Sequence, residues 1–147
     1  EVMEKIVFVC LGNICRSPMA EFVMKDLVEK AGNESNFLIE SRATSSWEHG
    51  NPIHSGTQTK LKDQKIAFDL HKGSQKISSE DFYEFDKIIA MDESNLENLR
   101  KMAPEGTSQK IAMLLEQGVP DPWFTGDFQE TYQLVKTGCQ RLLDEIV

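Results

Sequence analysis

The stretch Lys5-Ile6-Val7-Phe8-Val9-Cys10-Leu11-Gly12-Asn13-Ile14-Cys15-Arg16-Ser17-Pro18 decides the fold. Its first half, Ile6 to Val9, is a short unbroken apolar run, the pattern of a parallel strand covered on both faces. After the loop, Ser17 reads as an N-cap and Pro18 as the first helical residue. Ala20, Val23, Met24, Leu27, Val28 and Ala31 then recur at helical spacing until Gly32 stops the helix. A strand, a glycine-containing loop and a helix in this order put the loop at the carboxyl end of a strand, where open α/β sheets bind their ligands.

The loop's residues say what kind of ligand. Cys10 closes the strand and Arg16 follows it six residues on. A thiolate is the reactive form of cysteine, and a nearby cation and a helix N-terminus both favour that anion. Arginine matches a phosphoryl group with two parallel hydrogen bonds. Gly12 permits positive φ and close approach of backbone to an anion, and Asn13 tolerates left-handed geometry. The N–H groups of Leu11, Gly12, Asn13, Ile14, Cys15 and Arg16 would form an anion nest. Taken alone, Cys10 fits a buried strand-end core cysteine equally well. In the company of Gly12, Asn13, Arg16, Ser17 and Pro18 it reads as the nucleophile of covalent phosphate chemistry.

Farther along, Phe37 to Ser41 reads as a second strand, Arg42 to Gly56 as a polar loop and Thr57 to Gln64 as a helix. Ser78 opens a capping pattern that runs to Phe85, and Lys87 to Met91 is a third strand. Asp92 to Met102 is a short helix, Gln109 to Leu114 a fourth strand, and Val119 to Asp127 a loop dense in proline, glycine and aromatics. Phe128, Tyr132, Val135, Cys139, Leu142, Leu143 and Ile146 keep helical spacing in a final helix. Strands alternating with helices indicate an α/β fold with a parallel sheet.

With 147 residues and 39% hydrophobic content, residues 1–147 suit one domain, without disulfide or metal staples. Glu1 and Val2 stand ahead of Met3, a natural initiator, and read as additions to the native sequence. Sixteen basic against 24 acidic residues give a net charge of −8, which argues against a nucleic-acid or anionic-membrane partner. Three cysteines, two of them in the loop, make no disulfide framework and suit a reducing compartment. No signal peptide and no apolar run of about 18 residues is present, so the expectation is a soluble, cytoplasmic protein. His49, His54 and His71 show no metal-ligand spacing with one another or with the cysteines, and neither metal nor cofactor is expected.

The segment Val9 to Glu21 resembles the signature loop of the low-molecular-weight protein tyrosine phosphatases. Ser41 to Gly50 resembles that family's serine-to-tryptophan loop, Phe85 to Leu96 its strand–helix junction, and Val119-Pro120-Asp121-Pro122 its acid loop. The resemblance implies a three-layer sandwich, a central four-stranded parallel sheet with helices on both faces. It also implies hydrolysis of phosphotyrosine in proteins, and of aryl phosphates, through a cysteinyl-phosphate intermediate. Such a monomeric enzyme would hold inorganic phosphate or other oxyanions at the loop.

Family roles then attach to particular residues. Asp121 would be the general acid that protonates the leaving oxygen, and Pro122 would hold its backbone extended. Read alone, Asp-Pro is a routine turn opener. Ser17 would hydrogen-bond the thiolate besides capping the helix. Cys15 is either an inert core thiol or, as the resemblance implies, the partner that traps an oxidised Cys10 as a disulfide. His71 would brace the loop through Asn13, with Ser41 in the same network. Asp92 caps the following helix or, by resemblance, lies near Arg16. Trp47, Trp123 and Phe124, large aromatics in expected loops, could wall a slot for a phenyl ring. Many family members carry Tyr-Tyr after Asp-Pro, sometimes phosphorylated; Trp123-Phe124 keeps the apolar wall and offers no hydroxyl.

Two other activities fit parts of the pattern. An arsenate reductase shares the loop but needs further redox cysteines on a mobile segment, and only Cys139 remains, on an expected buried helix face. A non-catalytic phosphoanion or redox-sensing module would not need Cys10, Arg16, Ser17 and Asp121 together.

Overall fold

The computed structural model describes residues 3–147, so the reading of Glu1 and Val2 lies outside the described residues. Strand β1 (Glu4–Cys10) is followed by helix α1 (Arg16–Lys30), β2 (Phe37–Ala43), α2 (Ser55–Asp63), α3 (Ser79–Glu84), β3 (Lys87–Ala90), α4 (Glu93–Met102), β4 (Ile111–Met113), the single turn α5 (Pro122–Thr125) and α6 (Phe128–Ile146). The four strands pair in parallel in the order β2-β1-β3-β4.

The apolar run in β1 explains this order. Alternate strand residues face opposite sides of a sheet, so a strand apolar at every position belongs in the middle. Ile6, Phe8 and Cys10 enter a core built with Met19 and Val23 of α1, Leu61 of α2, and Val135, Cys139 and Leu143 of α6. Val7 and Val9 enter the opposite core, with Phe82 of α3, Ile88 of β3 and Leu96 and Leu99 of α4. The result is the three-layer α/β sandwich. α6 comes close to the end of β4 because residue 138 is glycine: a Cβ there would lie 2.5 Å from the Leu114 side chain.

Some boundaries depart from expectation, each for a local reason. α1 begins at Arg16, with Cys15 in the N-cap position and no side-chain cap, so Ser17 does not cap it. The first half of α1 is buried nearly all round, Phe22 included, whereas Ala31 is exposed; the helix start lies inside the molecule and its end reaches the surface. The expected fourth strand is shorter because Ser108–Lys110 form a 3-10 turn. The expected loop 119–127 contains α5, since an aspartate followed by proline is a helix start as well as a turn: Asp121 Oδ1 accepts from Trp123 N at 3.0 Å. Gly126 (φ 71) ends that turn. The capping pattern at Ser78 forms a full box, Ser78 Oγ accepting from Asp81 N and Asp81 Oδ2 from Ser78 N. Among the described residues no helix is long and apolar enough to cross a membrane.

Candidate active site

Cys10 stands at the end of the central strand, and the loop that follows is shaped by what its carbonyls touch. Cys10 O accepts from Thr44 N at 2.9 Å, Leu11 O from Ser45 N at 3.2 Å and Ser45 Oγ at 2.9 Å, and Gly12 O from Ser74 Oγ at 2.8 Å. Ile14 O accepts from His54 N at 2.9 Å and Cys15 O from Thr57 Oγ1 at 3.1 Å. With the carbonyls tied to the scaffold, the opposite groups of the same peptides are turned away from it. Among the described residues the N–H groups of Leu11, Gly12, Ile14 and Cys15 donate to no protein acceptor, and these residues line one cleft with Cys10 and Arg16. A ring of free N–H groups at a helix N-terminus is an anion site. The left-handed residue that turns the loop is Asn13 (φ 56); Gly12, expected to supply positive φ, does not adopt it.

The sulfur receives N–H contacts from Asn13 at 3.3 Å and Ser17 at 3.4 Å, and lies 3.1 Å from Ser17 Oγ. The Ser17 hydroxyl is therefore turned to Cys10 rather than to the helix end. Asn13 Nδ2 donates to Ser17 Oγ at 2.8 Å and to Ser41 Oγ at 3.0 Å, while Asn13 Oδ1 accepts from Gln75 N at 3.1 Å. Ser41 in turn donates to Glu21 Oε1 at 2.6 Å. A carboxylate only accepts, so the direction of every bond back from Glu21 is set: Ser41 gives its proton to Glu21 and must accept from Asn13. Both Asn13 hydrogens are then used, and Ser17, which accepts one of them, keeps its own proton for the sulfur or for Arg42 O at 3.3 Å.

His71 does not take part in this network. It is exposed, and its N–H bonds Asp69 Oδ1 at 2.8 Å. The neighbouring Lys72 points inward instead, with Nζ 3.3 Å from Ser41 O and 3.5 Å from Glu21 Oε1. Lys25 holds the other Glu21 oxygen at 2.6 Å. Isolated bridges His49–Ser74 and Pro52–Gly73 fix this segment against the loop after β2, and that register turns residue 72 rather than 71 toward the interior. Glu21 was not singled out from sequence; its signal is a carboxylate in the otherwise buried first half of α1.

Arg16, nearly buried, is held by three acceptors. Its Nη1 donates to Asp92 Oδ2 at 2.6 Å and to Val119 O at 3.0 Å, and its Nη2 lies 3.4 Å from Asp121 Oδ2. Burial works against its charge, but Cys10, the bond to Asp92 and the charge of Asp121 more than offset that and raise its pKa above the ordinary value. Asp92 fills both roles read for it, since its Oδ1 also caps α4 through Asn95 N at 2.8 Å. Asp121 lines the cleft beside Trp47, Trp123 and Phe124, which are exposed at its mouth, and Glu48 joins them there.

The three cysteines are free. Burial foremost, then the negative charge of Cys10, Asp121 and Glu48, pushes the Cys15 thiol up to about 12. Cys139 is wholly buried and its Sγ approaches Ala20 O, which leaves no further exposed redox thiol for an arsenate reductase. Among the described residues no group of three or more His, Cys, Asp or Glu could hold a metal ion.

Comparison with known proteins agrees over nearly the full chain. The sequence model of the family described as low molecular weight phosphotyrosine protein phosphatase matches residues 5–147. The low molecular weight protein-tyrosine-phosphatase YfkJ of Bacillus subtilis (strain 168) is 45% identical, over 98% of this chain and 96% of its own. PtpA of Staphylococcus aureus (strain MRSA252), which carries the same description, is 41% identical over 99% and 95%. The crystal structure of SP-PTP, a low molecular weight protein tyrosine phosphatase from Streptococcus pyogenes, superposes with a TM-score of 0.94 at 56% identity, covering 99% of this chain and 94% of that one.

Proposed function

The chain belongs to the low molecular weight phosphotyrosine protein phosphatase family, and from that premise we propose that it hydrolyses phosphotyrosine through a cysteinyl-phosphate intermediate on Cys10. As a protein-tyrosine-phosphatase it acts on phosphoproteins. The observation that carries the mechanism is the outward anchoring of the loop carbonyls around Cys10, which leaves free N–H groups and the Arg16 fork on one cleft.

Phosphate oxygens accept from the loop N–H groups of Leu11, Gly12, Ile14, Cys15 and Arg16 and from the Arg16 guanidinium, which leaves the phosphorus facing Cys10 Sγ. The phenyl ring lies between Trp47, Trp123 and Phe124. The thiolate attacks phosphorus, the P–O bond to the phenol breaks, and Asp121, protonated, gives its proton to the departing oxygen. In the second step the oxygen of a water attacks phosphorus, the P–S bond breaks, and Asp121 takes the proton of that water. Cys10 leaves as a thiolate, stabilised by Ser17 and the N–H groups of Asn13 and Ser17. Arg16 neutralises charge on the equatorial oxygens in both steps. No metal is needed, because guanidinium and backbone dipoles supply the positive field.

Residues 3–147 act as one catalytic domain, since β1 contributes to both cores and carries the nucleophile. The free cysteines suit an enzyme of the reducing cytoplasm. Cys15, next to the nucleophile in the buried loop, is the candidate to capture an oxidised Cys10 as a disulfide.

Rapid-quench kinetics test the covalent step. Wild type should release phenol in a burst equal to the enzyme present and yield an acid-stable phosphoprotein, and Cys10→Ser should show neither while still binding vanadate. Substantial turnover by Cys10→Ser would remove the intermediate.

A further inference from the structure

The first turn of α2 touches both halves of the site. Through its backbone N–H, His54 donates to Ile14 O, and Thr57 Oγ1 donates to Cys15 O, so this turn is fastened to the phosphate loop. The His54 ring faces the other way. It stacks on Phe128, with centroids 5.2 Å apart and planes at 22°, and meets Trp123 edge to face at 5.6 Å and 81°. Trp123 lies in α5, the turn that Asp121 caps, and Phe128 opens α6, so one imidazole touches the turn bearing Asp121 and the helix that follows it.

The ring's rotation is fixed as well. Its Nδ1 accepts from Gly56 N at 2.9 Å, the bond that caps α2, which leaves the proton of the neutral imidazole on Nε2. Residue 56 must be glycine for the stack to exist, because a Cβ there would lie 2.4 Å from the Phe128 ring. By contrast, the Asp121 side chain is lightly held: Trp123 is 57% and Phe124 79% exposed, and among the described residues the carboxylate bonds only Arg16 and Trp123 N.

We propose that His54 is a positioning residue that sets the distance between the phosphate loop and Asp121, acting through its ring contacts with Trp123 and Phe128. The proposal rests on the reading of Asp121 as the general acid. His54 touches no reacting atom; losing its ring should let the acid drift while the anion nest, held by backbone bonds, stays intact.

The test compares kcat/KM, which reports formation of the phosphoenzyme, for phenyl phosphate and for p-nitrophenyl phosphate, with inorganic phosphate inhibition as the measure of the loop. Asp121→Asn is the reference for a lost acid. His54→Ala should lose roughly 10–100-fold on phenyl phosphate but about threefold or less on p-nitrophenyl phosphate, with phosphate inhibition unchanged, as expected for misplacing a catalytic group. His54→Phe, which keeps a ring without the acceptor, should recover most of that loss; His54→Asn, which keeps an acceptor without the ring, should not. Should His54→Ala fail to fold, the Phe and Asn variants carry the same contrast. Equal losses on both substrates with weakened phosphate inhibition, or an Asn variant as active as wild type, would overturn the role. If Asp121→Asn itself shows no leaving-group dependence, the acid reading falls and takes this proposal with it. If that variant shows the dependence and the His54 variants do not, only the proposal falls.

Discussion

Asn13→Gly and Asn13→Ala, made side by side, separate the two things the loop draws from this residue. Asn13 is 2% exposed, stands at φ 56, and makes three side-chain hydrogen bonds, two from Nδ2 and one to Oδ1. At about 1 kcal/mol for each bond, with a further amount for a Gln75 N–H left without its acceptor, either substitution should cost about 3–4 kcal/mol of stability. Glycine sits in the left-handed region without steric penalty, whereas alanine there costs about 1–2 kcal/mol more. The expected order in urea unfolding is wild type, then Asn13→Gly, then Asn13→Ala, with the last gap due to backbone alone. Both variants should also lose activity, because Ser17 no longer has its proton directed toward the sulfur. Equal stability of the two variants would refute the strain argument. A loss below about 0.5 kcal/mol in both, the level of an ordinary surface change, would refute the hydrogen-bond network.

Arg16→Lys keeps the charge but loses the fork shared by Asp92, Val119 O and the phosphate, so kcat/KM should fall by about 10²–10³-fold; near-native kinetics would mean the loop needs only a positive charge. Lys72→Met should destabilise by about 1–3 kcal/mol through the buried Glu21 carboxylate, while His71→Ala stays within about 0.5 kcal/mol in the same urea assay. The reverse ranking would restore the histidine brace. Cys15 keeps its proton in the folded state well past the ordinary thiol value of 9.0, to about 12. Its contribution is thus complete below pH 9.0 and is lost as pH rises toward 12, at a slope of roughly 1 kcal/mol per pH unit. Cys15→Ala should flatten that alkaline limb of the urea midpoint, and an unchanged slope would contradict the raised value.

Local signals in the sequence carried the fold because the deciding elements are contiguous. The Ile6–Val9 run and the stripe of α1 are short-range patterns, and so is the box that caps α3. The same holds for the proposed phosphate loop from Cys10 to Arg16, whose residues are consecutive in the chain. What escaped were choices between neighbours. Whether residue 71 or 72 faces inward depends on bridges to the loop after β2, a long-range register that periodicity does not encode. Ser17 had two acceptable partners, and the sulfur prevailed because α1 already begins at Arg16, which places Ser17 inside the helix rather than ahead of it. Asp121 and Pro122 open a turn or a helix with equal ease, and here the Asp121 cap and Gly126 close it as a helical turn. Glu21 was hidden because a carboxylate on an amphipathic helix ordinarily marks its wet face.

Asp121 reaches Arg16 across 105 residues of chain, whereas the anion loop is assembled from adjacent ones. Segments held by few buried contacts open locally at a fraction of the free energy needed to unfold the whole, and the stretch bearing Trp123 and Phe124 is such a segment. Under mild heat or urea the enzyme should therefore decay in stages, losing delivery of the proton before it loses its grip on phosphate. In the intermediate stage it would seize phosphotyrosine and release it slowly, turning from a hydrolase into a sequestering trap for its own substrates.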